Sequence, residues 1–261
     1  MDSDISGGLY RDLTDYARST PHWVHDAAEL WTEAGLLLFG ALFALAWWRA
    51  RGLDAGRMAL ALLAPLATAT GYVCSESLKS LVDEERPCRA VAGAAASLVP
   101  CPPTGDWSFP SNHSAIAGAA AAALVVVRPR IAWLTVPMAL LMAFSRVFVG
   151  VHYPHDVAAG LLLGAAVAVV SMRLPTRPAA SLVATVRTSR SPLAQWFAGR
   201  GPAVETGPGA FAGRGPAVET GPGAGFPATG AGVKYTDPDA GVYSDPDPVT
   251  GRPERIPRVR R

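Results

Sequence analysis

Charge is scarce in this chain. Asp, Glu, Lys and Arg make up 17% of its 261 residues, and the formal net charge is only +2. With no large excess of either sign, bulk electrostatics gives no reason to expect a nucleic-acid partner. Cysteine is scarcer still: Cys74, Cys88 and Cys101 are all there is, enough for one bridge at most. The N-terminus also lacks the basic start and small-residue cleavage site of a signal peptide, so the first apolar segment is expected to stay in place.

What is abundant is apolar surface. Half of the residues are hydrophobic and the mean hydropathy is +0.22, too apolar for an average soluble domain of this size. The apolar residues fall in blocks before about residue 173 and predict five membrane-spanning helices: Leu30–Trp48, Met58–Leu78, Ser114–Val127, Ile131–Phe148 and Val157–Met172. A straight span needs about 20 residues at 1.5 Å each, so the third and fifth are short. The expected fold class is all-α, a polytopic membrane helix bundle.

Arginines orient it. Arg49, Arg51 and Arg57 fall between spans one and two, Arg128 and Arg130 between three and four, and Arg173 and Arg177 after five. The positive-inside rule places these clusters in the cytoplasm, and the N-terminus and the 79–113 and 145–156 loops outside. Cys88 and Cys101 then share an exported loop, where an oxidising compartment permits a disulfide. Closing that loop would contribute about 3 kcal/mol in the chain-entropy model. Two free thiols are the alternative.

The flanks differ from the centre. Residues 1–29 carry short apolar groupings at helical spacing broken by Pro21, which predicts amphipathic helices on the outer membrane surface, with His22 and His25 as interfacial polar residues. The domain boundaries read from composition are 1–29, 30–174 and 175–261. The last segment is rich in Pro and Gly, and Phe197–Ala210 recurs unchanged at Phe211–Ala224. Such sequence buries too little apolar surface to offset its ordering entropy, so a disordered cytoplasmic tail is expected.

Against this apolar background, three polar stretches lie between Lys79 and Asp156: Lys79-x6-Arg86-Pro87, Pro110-Ser111-Asn112-His113, and Ser145-Arg146-x5-His152-x3-Asp156. Cations near lipid are costly unless an anion faces them, and phosphate is the obvious one. Lys79 and Arg86, a heptad apart, share a face if the second span continues as helix past Leu78. Salt bridges from Lys79 to Glu76 or Asp83 are the competing use. Ser111 and the amide of Asn112 at a helix start form an anion site, and His113 is placed to give a proton to a leaving group. The spacing of His152 and Asp156 lets the carboxylate bind one ring nitrogen and leave the other free to attack. His155 reads as a structural or rim residue. A zinc site of His113, His152, His155 and Asp156 is the alternative use of these side chains, but the surrounding cations would repel a metal.

Together the three stretches resemble the tripartite signature of the type-2 phosphatidic acid phosphatase superfamily, KxxxxxxRP, PSGH and SRxxxxxHxxxD, over residues 58 to 173. That superfamily includes membrane lipid phosphatases, bacterial acid phosphatases and vanadium haloperoxidases. The resemblance implies catalytic His152, His113 and Asp156, phosphate-binding Lys79, Arg86, Ser111, Asn112 and Arg146, and no metal or cofactor. Asn112 departs from the family's Gly, and this looks more like the branch acting on undecaprenyl diphosphate. Five spans also depart from the six typical of bacterial members. The implied protein is a bacterial plasma-membrane phosphatase with its site outside, whose partners are a lipid phosphate or diphosphate and the bilayer. Phosphatidate, phosphatidylglycerol phosphate and other polyprenyl phosphates are alternative substrates. A haloperoxidase or a non-catalytic lipid binder is a remote alternative. Oligomeric state is not legible.

Overall fold

The computed structural model describes residues 6–202, and every regular element among them is helical. In chain order they are α1 (Gly7–Ser19), α2 (His22–Ala50), α3 (Ala55–Val82), α4 (Pro87–Ala90), α5 (Asn112–Val127), α6 (Ala132–Phe148, entered through a 3-10 turn at Pro129–Ile131), α7 (Pro154–Arg173), α8 (Thr176–Thr188) and α9 (Pro192–Ala198). Four helical stretches, those containing α2, α3, α6 and α7, are long and apolar enough to cross a membrane, while α5 is a shorter apolar helix.

Helix α5 is the axis of the bundle. Its alanines are buried on nearly every side: Ala117, Ala120 and Ala121 meet Phe39 of α2 and Met138 and Met142 of α6, while Ala119 and Ala123 meet Ala64 and Ala67 of α3 and Ala168 and Met172 of α7. A helix that is apolar all round belongs in an interior. Its contact with α7 is closest. A Cβ on Gly164 would stand 2.0 Å from the Ala115 carbonyl oxygen, and one on Gly160 2.5 Å from that of Ser111. In lipid, where helix association relies on van der Waals packing, such small residues let two backbones touch.

Local signals set the ends of α3. Asp54 caps its start by accepting from the Arg57 amide at 2.9 Å. Asp83, at φ +51°, closes it in a left-handed turn. The helix thus stops at Val82, and Arg86 lies beyond it in extended backbone (φ −67°, ψ 142°). This corrects the shared-face expectation for Lys79 and Arg86, and Pro87 opens the short α4.

Other expectations shift as well. α2 runs unbroken from His22, so Trp23 to Glu29 belong to the first long helix and not to a separate surface helix. α7 reaches 20 residues because Pro154 starts it three positions before Val157. α1 lies across the connections at the site end, where the Tyr10 hydroxyl donates to the Gly150 carbonyl at 2.9 Å and Arg18 to the Ala96 carbonyl at 2.7 Å. α8 and α9 occupy residues that composition assigned to an unfolded tail. The Arg187 guanidinium donates to the carbonyls of Leu53 and Ala198, docking this part of the chain under α3. The duplicated tail sequence, apart from its first residues, lies outside the described residues.

Candidate active site

The C-terminal ends of α3 and α6 meet the N-terminal ends of α5 and α7 at one end of the bundle, so the three polar stretches converge there. A cavity of about 390 Å³ is lined by Lys79, Arg86, Asn112, His113, Arg146 and His152, together with Asp106. Ser111 and Asp156 lie behind this lining, both fully buried.

His152 is held at both ring nitrogens. Nδ1 lies 3.3 Å from Asp156 Oδ2, while Nε2 lies 3.2 Å from Arg86 Nη1. Asp156 Oδ2 also accepts from the Tyr153 amide at 2.8 Å and from the Ser108 hydroxyl. A carboxylate fixed in this way selects the tautomer with the proton on Nδ1, so the Nε2 lone pair accepts from Arg86 Nη1 and must exchange that donor for phosphorus before it can attack. Burial, then the nearby guanidinium groups of Arg86 and Arg146 and the Lys79 ammonium, push the His152 pKa well below its ordinary 6.5. The ring is therefore neutral near pH 7.

The cations are arranged for an anion. Arg146 is buried, and its Nε has no hydrogen-bond partner among the described residues. An orphaned guanidinium facing a cavity is costly unless a ligand completes it. Lys79 and Arg86 already share an acceptor: Asp106 Oδ1 lies 2.9 Å from Lys79 Nζ and 2.8 Å from Arg86 Nη2. Asp106 therefore takes the partnership that the sequence reading offered to Glu76 or Asp83. Burial raises its pKa, but the hydrogen bonds from Lys79 and Arg86 outweigh that and hold it below the ordinary 3.8.

Asn112 stands in the first turn of α5, and Asp83 is the one non-glycine residue with positive φ among the described residues. Asn112 itself is thus in ordinary right-handed helix. Its side chain ties α5 to α3, accepting from the Ser75 hydroxyl at 2.7 Å and donating to Glu76. The Ser111 hydroxyl accepts from Ser114 at 3.2 Å rather than facing the cavity. His155 sits against the second oxygen of Asp156, with Nε2 at 3.2 Å from Oδ1 and 3.1 Å from Glu84 Oε1, and Nδ1 at 2.7 Å from the Ser6 hydroxyl. One ligand atom from each of Glu84, His155 and Asp156 fits within 4.8 Å, so this trio, rather than the four residues weighed from the sequence, has the compactness of a metal cluster.

Sequence reasoning missed Asp106, Ser108 and Glu84. Their one available signal was position: Glu84 lies inside the first motif, and Asp106 and Ser108 in the connection between the first two. Cys88 and Cys101 are joined in that same connection, with Cα atoms 6.1 Å apart. Cys74 is free.

The fold and site together define an all-helical bundle with candidate membrane spans and a histidine–carboxylate pair beside clustered cations. Residues 60–179 match the PAP2 superfamily. It is 41% identical over 70 residues to an undecaprenyl-diphosphatase of Sulfolobus acidocaldarius, covering 26% of this chain and 34% of that one. It is 32% identical over 127 residues to undecaprenyl-diphosphatase BcrC of Bacillus subtilis, covering 48% of this chain and 64% of that one. The chain thus spans between about a third and two thirds of these relatives. Its fold is similar to the crystal structure of Aquifex aeolicus LpxE, with a TM-score of 0.53 and 24% identity, covering 66% of this chain and 97% of that one.

Proposed function

We propose that this protein is a lipid phosphatase acting on a polyprenyl diphosphate, with undecaprenyl diphosphate the preferred substrate, at the outer face of a bacterial plasma membrane. The observation that carries the reading is His152, tethered through Nδ1 to Asp156, in the lining of a cavity that also includes Lys79, Arg86 and Arg146. The names of the two aligned relatives support the choice of lipid.

In the proposed reaction Lys79, Arg86, Arg146 and the free amides at the start of α5 hold the terminal phosphoryl oxygens. His152 Nε2 attacks phosphorus, and the bond to the bridging oxygen breaks. His113 protonates that oxygen, releasing the lipid monophosphate and leaving a phosphohistidine. His113, now a base, takes a proton from water, whose oxygen displaces His152 and frees inorganic phosphate. Ser111 supports the turn that presents these amides, and Asn112 fixes it against α3.

An apolar cavity of about 350 Å³ between α2 and α6, lined by Trp31, Leu141, Phe144 and Phe148, offers a place on the bundle flank for a prenyl chain. The test is phosphate release by the purified full-length chain from undecaprenyl diphosphate, phosphatidate and phosphatidylglycerol phosphate, with chelator present. Preference for the first is expected. Equal or greater release from a glycerolipid would overturn the substrate assignment, and release abolished by chelator would overturn the metal-independent chemistry.

A further inference from the structure

The opposite end of the bundle holds a second cluster of cations that the proposed reaction does not use. Arg49 at the end of α2, Arg57 in the first turn of α3, and Arg128 and Arg130 in the α5–α6 connection rim a cavity of about 520 Å³. Leu42, Leu45, Leu124 and Ile131 supply its apolar surface. Asp54 is the one acidic residue in the lining, and its Oδ1 accepts from the Arg57 amide at 2.9 Å. Among the described residues, none of the four guanidinium groups has a hydrogen bond or an ion pair.

The positive-inside bias accounts for arginines on this side of a membrane protein. It does not account for guanidinium groups from three separate segments meeting over one apolar surface. Four like charges around one cavity, with no partner among the described residues, raise the local positive potential and favour an anion there. The apolar portion argues that the anion comes with a hydrocarbon chain, because a free ion would leave that surface wet. Guanidinium groups bind phosphate oxygens in a planar fork, and basic pockets between membrane helices suit anionic headgroups.

We propose that this cavity binds an anionic phospholipid of the leaflet on that face, its phosphodiester between the arginines and an acyl chain along Leu42, Leu45 and Leu124. This lipid is not the substrate. From Arg57 to Lys79 the single helix α3 rises about 33 Å at 1.5 Å per residue, so one headgroup cannot serve both ends.

The test is native mass spectrometry of the full-length chain from detergent micelles doped with phosphatidylglycerol or phosphatidylcholine. Four proteins are compared: wild type, Arg49→Gln/Arg57→Gln, Arg128→Gln/Arg130→Gln, and Arg146→Gln at the other end. All substituted residues of the two double variants are exposed, and thermal melting in phosphatidylcholine micelles checks that each folds. Wild type and Arg146→Gln are expected to retain phosphatidylglycerol over phosphatidylcholine, and each double variant to bind it about tenfold more weakly or worse. Retention unchanged in both double variants, or lost only in Arg146→Gln, would overturn the site. So would equal displacement by soluble glycerol phosphate, which would make the ligand a free anion. None of these outcomes depends on whether the protein hydrolyses polyprenyl diphosphate.

Discussion

The Asp106 carboxylate lies 2.8 Å from Arg86 Nη2, and the backbone carbonyl of the same aspartate accepts from Arg86 Nε at 2.7 Å. One residue thus holds the edge of a guanidinium that the proposed reaction needs for phosphate. Lys79 shares the carboxylate, so Asp106 gives two of the three cations a partner where a phosphoryl group would sit. The side chain is 43% exposed, which keeps the interaction screened and exchangeable.

It follows that Asp106 competes with substrate and product anions. Asp106→Asn keeps the shape and removes the charge. Inhibition by orthovanadate is expected to tighten about threefold, the scale of a partly exposed ion pair. Weaker inhibition would mean that Asp106 organises the cations instead of competing for them.

The depressed pKa of His152 has a consequence for stability. An unfolded histidine takes up a proton near pH 6.5, whereas the folded ring resists protonation until well below that. The unfolded state then binds more protons, so this residue's effect on stability worsens as pH falls through 6.5 and is absent above it. Melting temperature in detergent is expected to drop further between about pH 7.5 and pH 5.5 for the wild type than for His152→Gln. Equal drops would contradict a buried, neutral His152.

The backbone contact between α5 and α7 leaves no room for a methyl group. In Gly164→Ala the new Cβ would fall 2.0 Å from the Ala115 carbonyl oxygen, and the helices must separate. A loss of about 1–3 kcal/mol is expected, seen as a lower melting temperature. Gly40→Ala, which meets nothing within 4 Å, is the control and should be neutral or slightly stabilising. A neutral Gly164→Ala would contradict the close crossing.

Much of the bundle was legible because lipid permits few arrangements of the backbone. Apolar blocks had to become helices, and charged residues interrupting them had to face one another or an anion. His152 and Asp156 could be paired from spacing alone, since a turn of chain joins them. Arg86 could not be placed by period, because the left-handed Asp83 ended α3 before a heptad was complete. Asp106 and Ser108 were hidden for a related reason. They come from irregular chain, where no repeat links sequence position to direction, and only folding brings them to Arg86 and Asp156. The bonds of the Asn112 side chain to Ser75 and Glu76 were hidden too, because they cross from α5 to α3 and no spacing along the chain links them. α8 and α9 were missed because composition over a long tail masked two short helices.

The central claim is that phosphorus is transferred to His152. The most direct measurement is acid-free quenching of the full-length chain during turnover of terminally labelled undecaprenyl diphosphate, followed by peptide mapping. Label is expected as a phosphohistidine on the peptide containing His152, absent from His152→Ala together with phosphate release. Continued turnover by His152→Ala, or label on another residue, would contradict it.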